Sequence, residues 1–303
     1  MTDTVRANAK VNLHLEVLNK RSDSYHNIFS LNASLDLFDR LTFKRLTISE
    51  KCSDIRIDVH ADGGVYADII SSIAVEDNLI TKAVKLYLSR TGKTGEISVL
   101  VEKNIPSGAG LGGGSSDAAA ALRLLNAHCS KLNVGLEESE LLKLGAELGA
   151  DVPYCLCGGY AVCRGIGDEI EGIEGKLKYW VLLANCGIMV NTGKAYKALK
   201  RENNTPVNEP EIKKKKALFK EGIKQRNINI FKDILKNDFE DPVFSEYPEI
   251  RNLKNELADY NPDYAAMTGS GSTVIGLFKD KRRAEIAKDA LSKKAKVIIA
   301  KFV

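Results

Sequence analysis

The sequence has little that would direct the chain to a membrane, a secretory route or a nucleic acid. It has no uncharged apolar stretch of the ~18 residues that a membrane span requires. Asp3, Arg6 and Lys10 interrupt the first ten residues, so we expect no secretion signal. The formal net charge is only +4, too small an excess for a nucleic-acid-binding surface. We therefore expect a cytoplasmic protein that binds neither membranes nor nucleic acids.

Signals for disulfides and protein-bound metals are also weak. Without a secretion signal, the cysteines are expected to be reduced thiols. His14, His60 and His128 share no spacing typical of metal ligands. Cys155 and Cys157 form a C-x-C pair rather than the C-x-x-C pair of zinc sites. We therefore expect neither a disulfide framework nor a zinc site.

The composition and periodicity predict a two-domain α/β protein. Hydrophobic residues make up 44% and charged residues 28% of a 303-residue chain, which is typical of a globular protein of about two domains. Before residue 170, strand-like alternation mixes with helical periodicity, as in the helix over 78–89 that Asp77 or Asn78 would cap. The last ~50 residues predict an α+β unit of alternating helices and strands. We place the domain boundary near residue 170, giving domains 1–170 and 171–303.

A glycine-rich segment carries the strongest chemical signal. It holds five of the 24 glycines and lies between a predicted strand, 97–102, and a predicted helix, 116–127. Glycines allow positive φ and close approach of a ligand, and successive N–H groups beside a helix N-terminus bind phosphate. A Walker loop would have lysine where Ser115 stands, so this is a different kind of phosphate-binding segment. The predicted ATP-binding residues are Pro106, Ser107, Gly108, Ala109, Gly110, Leu111, Gly112, Gly113, Gly114, Ser115 and Ser116.

The run IPSGAGLGGGSSDAAAA, over 105–121, resembles the second motif of the GHMP kinase superfamily. Its Gly-Gly-Gly-Ser-Ser-Asp form is similar to the branch that phosphorylates a cytidine-diphosphate-linked alcohol. Ser22 and Ser24 stand where that branch usually has Pro and Gly. Further family-like motifs follow in order at 7–13, 21–26, 78–80, 149–154, 237–240, 247–250 and 268–272.

The resemblance implies both a fold and a reaction. The fold is the two-domain GHMP kinase fold, with an N-terminal nucleotide-binding α/β domain and a C-terminal ferredoxin-like α+β domain. The reaction is ATP- and Mg²⁺-dependent phosphorylation of the 2-hydroxyl of 4-diphosphocytidyl-2-C-methyl-D-erythritol, in the non-mevalonate isoprenoid precursor pathway. The substrate partner is thus a small molecule that carries cytidine diphosphate.

The resemblance also assigns roles to individual residues. Asp151 would accept the proton of the attacking hydroxyl, and Lys10 would place a positive charge near the transferring phosphoryl group. Ser116 is a candidate magnesium ligand. The expected substrate-binding residues are Asn12 for the methylerythritol end and Tyr25, His26 and Tyr196 for cytosine.

The residues around Asp151 add a local expectation. Pro153 disfavours helix at Val152, so we expect the chain to turn sharply after the helix over 137–148.

Two other functions remain open at this point. One is a GHMP kinase for another small alcohol, such as homoserine or mevalonate. The other is a catalytically silent relative that binds ligand and regulates. The adjacent Tyr25 and His26 favour a nucleobase-carrying substrate, and the presence of both Lys10 and Asp151 favours an active enzyme.

Overall fold

A computed structural model describes residues 3–49, 55–203 and 205–303, which fall into two compact units. Unit 1 comprises Met1–Ala9, Leu37–Ser107 and Gly112–Cys157, and unit 2 comprises Lys10–Asp36, Gly108–Leu111 and Gly158–Val303. The long strands β1 (Asp3–Lys20) and β2 (His26–Ser49) contribute residues to both units. The predicted division at residue 170 follows the chain rather than these units, and it stays a prediction.

Unit 1 places helices beside a small mixed sheet. The second half of β2 pairs antiparallel with β4, and β4 pairs parallel with β3. Residues 118–121 of α3 are four consecutive alanines with no exposed surface, which allows neighbouring elements to approach this helix closely. The remaining elements are β3 (Ile55–Ala61), α1 (Ala67–Ser72), α2 (Leu79–Thr91), β4 (Thr94–Glu102), α3 (Gly113–Ser130), α4 (Glu138–Leu148) and α5 (Val152–Cys157).

Local signals position the helix ends in unit 1. Asn78 caps α2, since its side-chain oxygen accepts a 2.9 Å hydrogen bond from the amide of Ile80. Gly92 ends α2 in the left-handed conformation at φ 65°. Glu137 and Glu140 form a capping box at the start of α4. The sequence predictions for these two helices are confirmed.

Unit 2 contains an antiparallel sheet with the strand order β10-β7-β9-β8. Its strands and the helices α8, α9 and α10 follow a βαββαβ succession, so the predicted ferredoxin-like α+β fold is confirmed. The first half of β2 pairs with β5, and β5 pairs with β6. The elements are β5 (Tyr160–Arg164), β6 (Glu169–Ile173), β7 (Trp180–Asn185), α6 (Thr192–Ala198), α7 (Glu209–Lys224), α8 (Glu240–Glu246), α9 (Pro248–Ala258), β8 (Tyr264–Met267), β9 (Val274–Phe278), α10 (Lys281–Leu291) and β10 (Lys296–Lys301).

Close packing of α9 on this sheet depends on one glycine. A Cβ atom at Gly276 of β9 would lie 3.0 Å from Cδ1 of Leu257, a fully buried residue of α9. Leu253 of the same helix joins this core with Ala284 and Leu291 of α10. The apolar faces of both helices therefore bury one face of the sheet.

Three sequence predictions about element bounds were wrong. The alternation over 28–48 predicts two strands, 28–38 and 41–48, broken by Asp36, Asp39 and Arg40, but β2 runs through all three, and the carboxylate of Asp39 is paired in the interior. The helix expected from Ser116 begins at Gly113, since Gly112 adopts φ 68° as its N-cap. The lysine run over 213–216 predicts the start of a helical tract that reaches about Leu235, but α7 begins earlier, at Glu209, and ends at Lys224, and short 3₁₀ turns follow it.

None of the helices formed by the described residues is long and apolar enough to cross a membrane. The five cysteines within that part of the chain are not joined by disulfides, and Cys52 lies outside the described residues.

Candidate functional site

The backbone packs closely against side chains where the glycine segment enters α3. A Cβ atom at Gly113 would lie 3.0 Å from Cγ2 of Ile105, and one at Gly114 would lie 3.3 Å from Cδ1 of Leu79. The first amides of an α-helix have no partner within the helix, and the helix dipole adds partial positive charge there. The start of α3 is thus suited to bind an anion at close range.

The two serines of this first turn differ in accessibility. Ser116 is buried, and its hydroxyl donates a 2.9 Å hydrogen bond to the carbonyl of Gly113. Ser115 is half-buried. Among the residues that the structure describes, no group of three or more His, Cys, Asp or Glu is arranged to hold a metal ion. A magnesium ligand at Ser116 stays a prediction.

A buried ion cluster, which sequence reasoning missed, lies behind the glycine segment in unit 1. Nζ of Lys103 is paired with Oδ2 of Asp39 and lies 2.6 Å from Oδ2 of Asp117. All three side chains are almost completely buried. Burial raises the pKa of Asp117; Lys103 opposes this shift, and the like charge of Asp39 adds to it.

Asp151 lies directly before α5 in unit 1 and is half-buried. The expected turn is present at Ala150 and Asp151, but the expectation that Pro153 disfavours helix at Val152 is wrong, since α5 begins at Val152. A proline in the first helical turn lacks only an N–H that would be unpaired there, so it is tolerated. The carbonyl of Asp151 accepts a 3.0 Å hydrogen bond from the amide of Cys155, which places Asp151 at the helix start.

Arg123 of α3 holds the far end of α5. Its guanidinium donates a 2.7 Å hydrogen bond to the carbonyl of Cys155 and a 3.0 Å hydrogen bond to the carbonyl of Arg6. Burial lowers the pKa of Arg123, although an arginine remains charged. The helix that begins in the glycine segment thus also positions the helix that follows Asp151, and no local sequence pattern indicated this contact.

In unit 2, the middle of the glycine segment packs against the turn over 268–272. A Cβ atom at Gly110 would lie 2.5 Å from the carbonyl oxygen of Thr268, and one at Gly269 would lie 3.2 Å from that of Gly110. Both glycines have positive φ, 75° and 59°. The amide of Lys10 donates a 3.0 Å hydrogen bond to the carbonyl of Leu111. The family-like motifs 7–13 and 268–272 are therefore both in direct backbone contact with the glycine segment.

Asparagine side chains hold this turn in place. Nδ2 of Asn237 donates to the carbonyls of Met267 and Gly269, at 2.7 and 2.8 Å. Nδ2 of Asn185 donates a 3.1 Å hydrogen bond to the hydroxyl of Ser272. Asn237 lies in a family-like motif, but its sequence pattern did not show that it serves the turn.

Lys10 and Asn12 lie on a buried face of β1. Nζ of Lys10 donates a 2.8 Å hydrogen bond to Oδ1 of Asn12, whose Nδ2 donates a 2.7 Å hydrogen bond to Oδ1 of Asn32. The amide of Asn12 donates a 2.8 Å hydrogen bond to the hydroxyl of Thr268. Lys10 is only 4% exposed. Lys10 belongs to unit 2 and Asp151 to unit 1, so their joint action stays a prediction.

The residues expected to bind cytosine cluster in unit 2. The rings of His26 and Tyr196 are stacked with centroids 5.0 Å apart at an interplanar angle of 23°. The edge-to-face contact of Tyr196 with Phe239 has a centroid distance of 4.8 Å. Tyr25 is 59% exposed. Ser24, at the usual glycine position, adopts φ 71°, a strain of about 1 kcal/mol for a residue with a side chain.

Two stretches of the chain match the two domains of one known protein family. Residues 78–159 match the GHMP kinases N terminal domain, and residues 219–297 match the GHMP kinases C terminal domain. The chain belongs to the GHMP kinases.

Two relatives of this GHMP kinase are named 4-diphosphocytidyl-2-C-methyl-D-erythritol kinase. The protein from Alkaliphilus metalliredigens is 34% identical over 95% of this chain and 92% of its own length. The protein from Chlorobaculum tepidum is 35% identical over 97% of this chain and 95% of its own length.

Solved structures also resemble this GHMP kinase. A crystal structure of 4-(cytidine 5'-diphospho)-2C-methyl-D-erythritol kinase matches with a TM-score of 0.73 and 29% identity, covering 99% of each chain. Homoserine kinase from Cytophaga hutchinsonii matches with a TM-score of 0.72 but only 18% identity, covering 99% of this chain and 95% of its own. The second likeness shows a shared fold alone.

Proposed function

We propose that this GHMP kinase transfers the γ-phosphoryl group of ATP to the 2-hydroxyl of 4-diphosphocytidyl-2-C-methyl-D-erythritol. The observation that carries the choice of substrate is the stacked pair of His26 and Tyr196 beside the exposed Tyr25. Aromatic rings of this kind bind a nucleobase, and homoserine and mevalonate have none. The names of the relatives support the same substrate.

The nucleotide would bind along the glycine segment. The start of α3 supplies backbone amides and the positive end of the helix dipole. Phosphoryl transfer requires mainly alignment and neutralisation of charge, and oriented amides supply both.

Asp151 would accept the proton as the substrate hydroxyl attacks. Its position before α5, which Arg123 secures through the carbonyl of Cys155, gives the carboxylate a defined place. Lys10 would stabilise negative charge on the transferring group. Because Lys10 donates a hydrogen bond to Asn12, its ammonium group has a defined position from which it would neutralise charge on the phosphoryl group.

Magnesium would enter with the nucleotide. Mg²⁺ keeps several waters and often binds through substrate phosphates and one or two protein ligands, so it requires no protein cage. The hydroxyl of Ser116 donates its proton to the carbonyl of Gly113, which leaves oxygen lone pairs for a cation. Oxygen ligands from water, phosphate and Ser116 fit a magnesium ion, which would neutralise the β- and γ-phosphates.

Cytosine recognition would use a neutral imidazole. Burial and, secondarily, the charge of Lys20 lower the pKa of His26. A neutral ring has one donor and one acceptor nitrogen for the edge of cytosine. Stacked atoms lie about 3.5 Å apart, so a base between His26 and Tyr196 would need centroids about 7 Å apart instead of 5.0 Å. The base therefore either separates these rings or stacks on an outer face.

A panel of acceptors tests this function. The enzyme is incubated with ATP, Mg²⁺ and equal concentrations of 4-diphosphocytidyl-2-C-methyl-D-erythritol, homoserine or mevalonate, and ADP release is followed. We expect turnover with the cytidine substrate alone. Turnover with homoserine or mevalonate instead would reassign the acceptor, and no turnover with any of them would favour a silent relative. The cytoplasmic location and the isoprenoid pathway stay predictions.

A further inference from the structure

The Asp39–Lys103–Asp117 cluster occupies a position that the proposed mechanism does not use. Lys103 directly follows β4, and Asp117 lies in the second turn of α3. Lys103 is joined to both carboxylates, although all three side chains are buried. Burying charged groups is unfavourable, and apolar side chains would fill the same space without that cost. The cluster therefore calls for an explanation other than stability alone.

The hydrogen bonds of the cluster reach both ends of the glycine segment. Oδ1 of Asp39 accepts a 2.8 Å hydrogen bond from the amide of Ile105, immediately before Pro106. It also accepts a hydrogen bond from the amide of Asn104. At the other end, Asp117 lies 2.6 Å from Lys103 and belongs to the helix whose first amides are expected to meet the phosphates. A lysine between two carboxylates thus connects the chain entering the segment with the chain leaving it.

Lys103 is also close to the first residue of α3. A Cβ atom at Gly113 would lie 3.2 Å from Nζ of Lys103. The backbone at Gly113 and the ammonium group therefore have a fixed separation, which a side chain at this position would disturb. Any movement of Lys103 would be transmitted to the helix start.

We propose that Lys103 and Asp117 are positioning residues for the nucleotide, holding the start of α3 at a fixed distance from the end of β4. The proposal rests on the proposed function, because it concerns the ATP that the function requires. Neither side chain needs to touch the nucleotide: both are buried, and they act through the backbone of the glycine segment. Loss of the Asp117 contact should weaken nucleotide binding while leaving recognition of the cytidine substrate intact.

Two substitutions at one position and a control on the same helix test this. Asp117→Ala removes one of the two carboxylate partners of Lys103, whereas Asp117→Asn keeps an oxygen that can accept its hydrogen bond. Asn126→Ala is the control, because Asn126 is also on α3 and bonds Tyr87 and the backbone of Leu136, away from the glycine segment. ADP binding to the full chain is measured by calorimetry without acceptor, below the unfolding temperature of each variant, and KM is measured for both substrates.

We expect Asp117→Ala to weaken binding of the nucleotide but not binding of the cytidine substrate. Asp117→Ala should raise the Kd for ADP and the KM for ATP about tenfold or more, with the KM for the cytidine substrate within about twofold. Asp117→Asn should restore ADP binding to within about threefold of the original chain, and Asn126→Ala should leave it unchanged. Unchanged ADP binding in folded Asp117→Ala, or an equal rise in both KM values, would overturn the proposal. Failure of the unsubstituted chain to bind ADP would instead overturn the proposed function.

Discussion

Nζ of Lys10 donates a 2.8 Å hydrogen bond to Oδ1 of Asn12, two residues further along the same strand. This bond gives a buried ammonium group a neutral amide as one of its partners. Asn12 in turn donates to Asn32, so Lys10 belongs to a polar chain through the interior of unit 2. The orientation of the proposed catalytic cation therefore depends on Asn12.

This dependence predicts a difference between the two asparagines. Asn12→Leu should lower kcat about tenfold to a hundredfold, because Lys10 loses its acceptor. Asn32→Leu removes the bonds of Asn32 to Asn12 and Cys163 but leaves the bond between Lys10 and Asn12, so its kcat should stay within about threefold of the original chain. Both variants leave a buried amide without its partner and should lose about 1–3 kcal/mol of unfolding free energy. Steady-state kinetics with denaturant unfolding checks this; equal losses of kcat would remove Asn12 from the role.

Gly110 provides a second prediction, since it combines a positive φ with a close contact. Gly110→Ala should impair activity at least tenfold, because the new methyl group would lie 2.5 Å from the carbonyl oxygen of Thr268 and displace the turn. Gly92→Ala is the matched control, with φ 65° but no atom within 4 Å of the new methyl group. It should cost about 1 kcal/mol of stability without loss of activity. Comparable activity in both variants would show that the contact is unimportant.

The pKa of His26 predicts how substrate binding depends on pH. Burial and the charge of Lys20 lower this pKa below 6.5, so the ring is neutral at pH 7 and above. The KM for the cytidine substrate should stay constant from about pH 8 to 6.5 and rise at lower pH as the ring gains a proton. His26→Ala should raise this KM about tenfold and abolish its acid dependence. A KM that is unaffected by the substitution would place the cytosine site elsewhere.

Glu16 predicts the pH dependence of stability. Burial would raise the pKa of its carboxyl group, but the nearby imidazole of His14, a hydrogen bond from Lys215 and the charge of Lys236 lower it from 4.5 to about 2. The stabilisation is present above pH 4.5 and is lost as pH falls towards 2, and it amounts to about 3 kcal/mol.

Glu16→Gln should remove this part of the acid destabilisation. Unfolding free energies measured from pH 6 to 2 would show it as a smaller loss than in the original chain. Glu171→Gln, which removes an exposed ion pair with Lys216 and Lys220, should change the pH profile little. Parallel pH profiles for the Glu16 variant and the original chain would contradict the assignment.

Local patterns were sufficient for the parts of the fold that depend on neighbouring residues. The helix that Asn78 caps and the strand–glycine–helix order around 106–116 follow from short-range periodicity and capping. The pairing of Asp39 with Lys103 joins residues 64 positions apart, and each resembles a surface charge in its own segment. Asp39 was for that reason interpreted as a strand breaker.

In the candidate site, too, the sequence identified individual residues but did not show the contacts between distant segments. The family-like motifs identified Lys10, His26 and Tyr196, but alternation along β1 did not reveal that the polar face carrying Lys10 is buried. The stacking of His26 on Tyr196 and the hold of Arg123 on α5 depend on tertiary packing between distant segments. Periodicity shows which face of an element is apolar, but it does not show which polar groups meet inside the protein.

The most direct test of the central claim is the reaction of Asp151→Asn. Initial rates with ATP, Mg²⁺ and 4-diphosphocytidyl-2-C-methyl-D-erythritol are compared with those of the unsubstituted chain, with the product identified by ³¹P NMR. We predict one new phosphate monoester at the 2-position per ADP for the unsubstituted chain. We further predict a kcat about 10²–10⁴-fold lower for Asp151→Asn, with binding of the cytidine substrate nearly unchanged. An undiminished kcat in Asp151→Asn, or a phosphate at another position, would contradict the account.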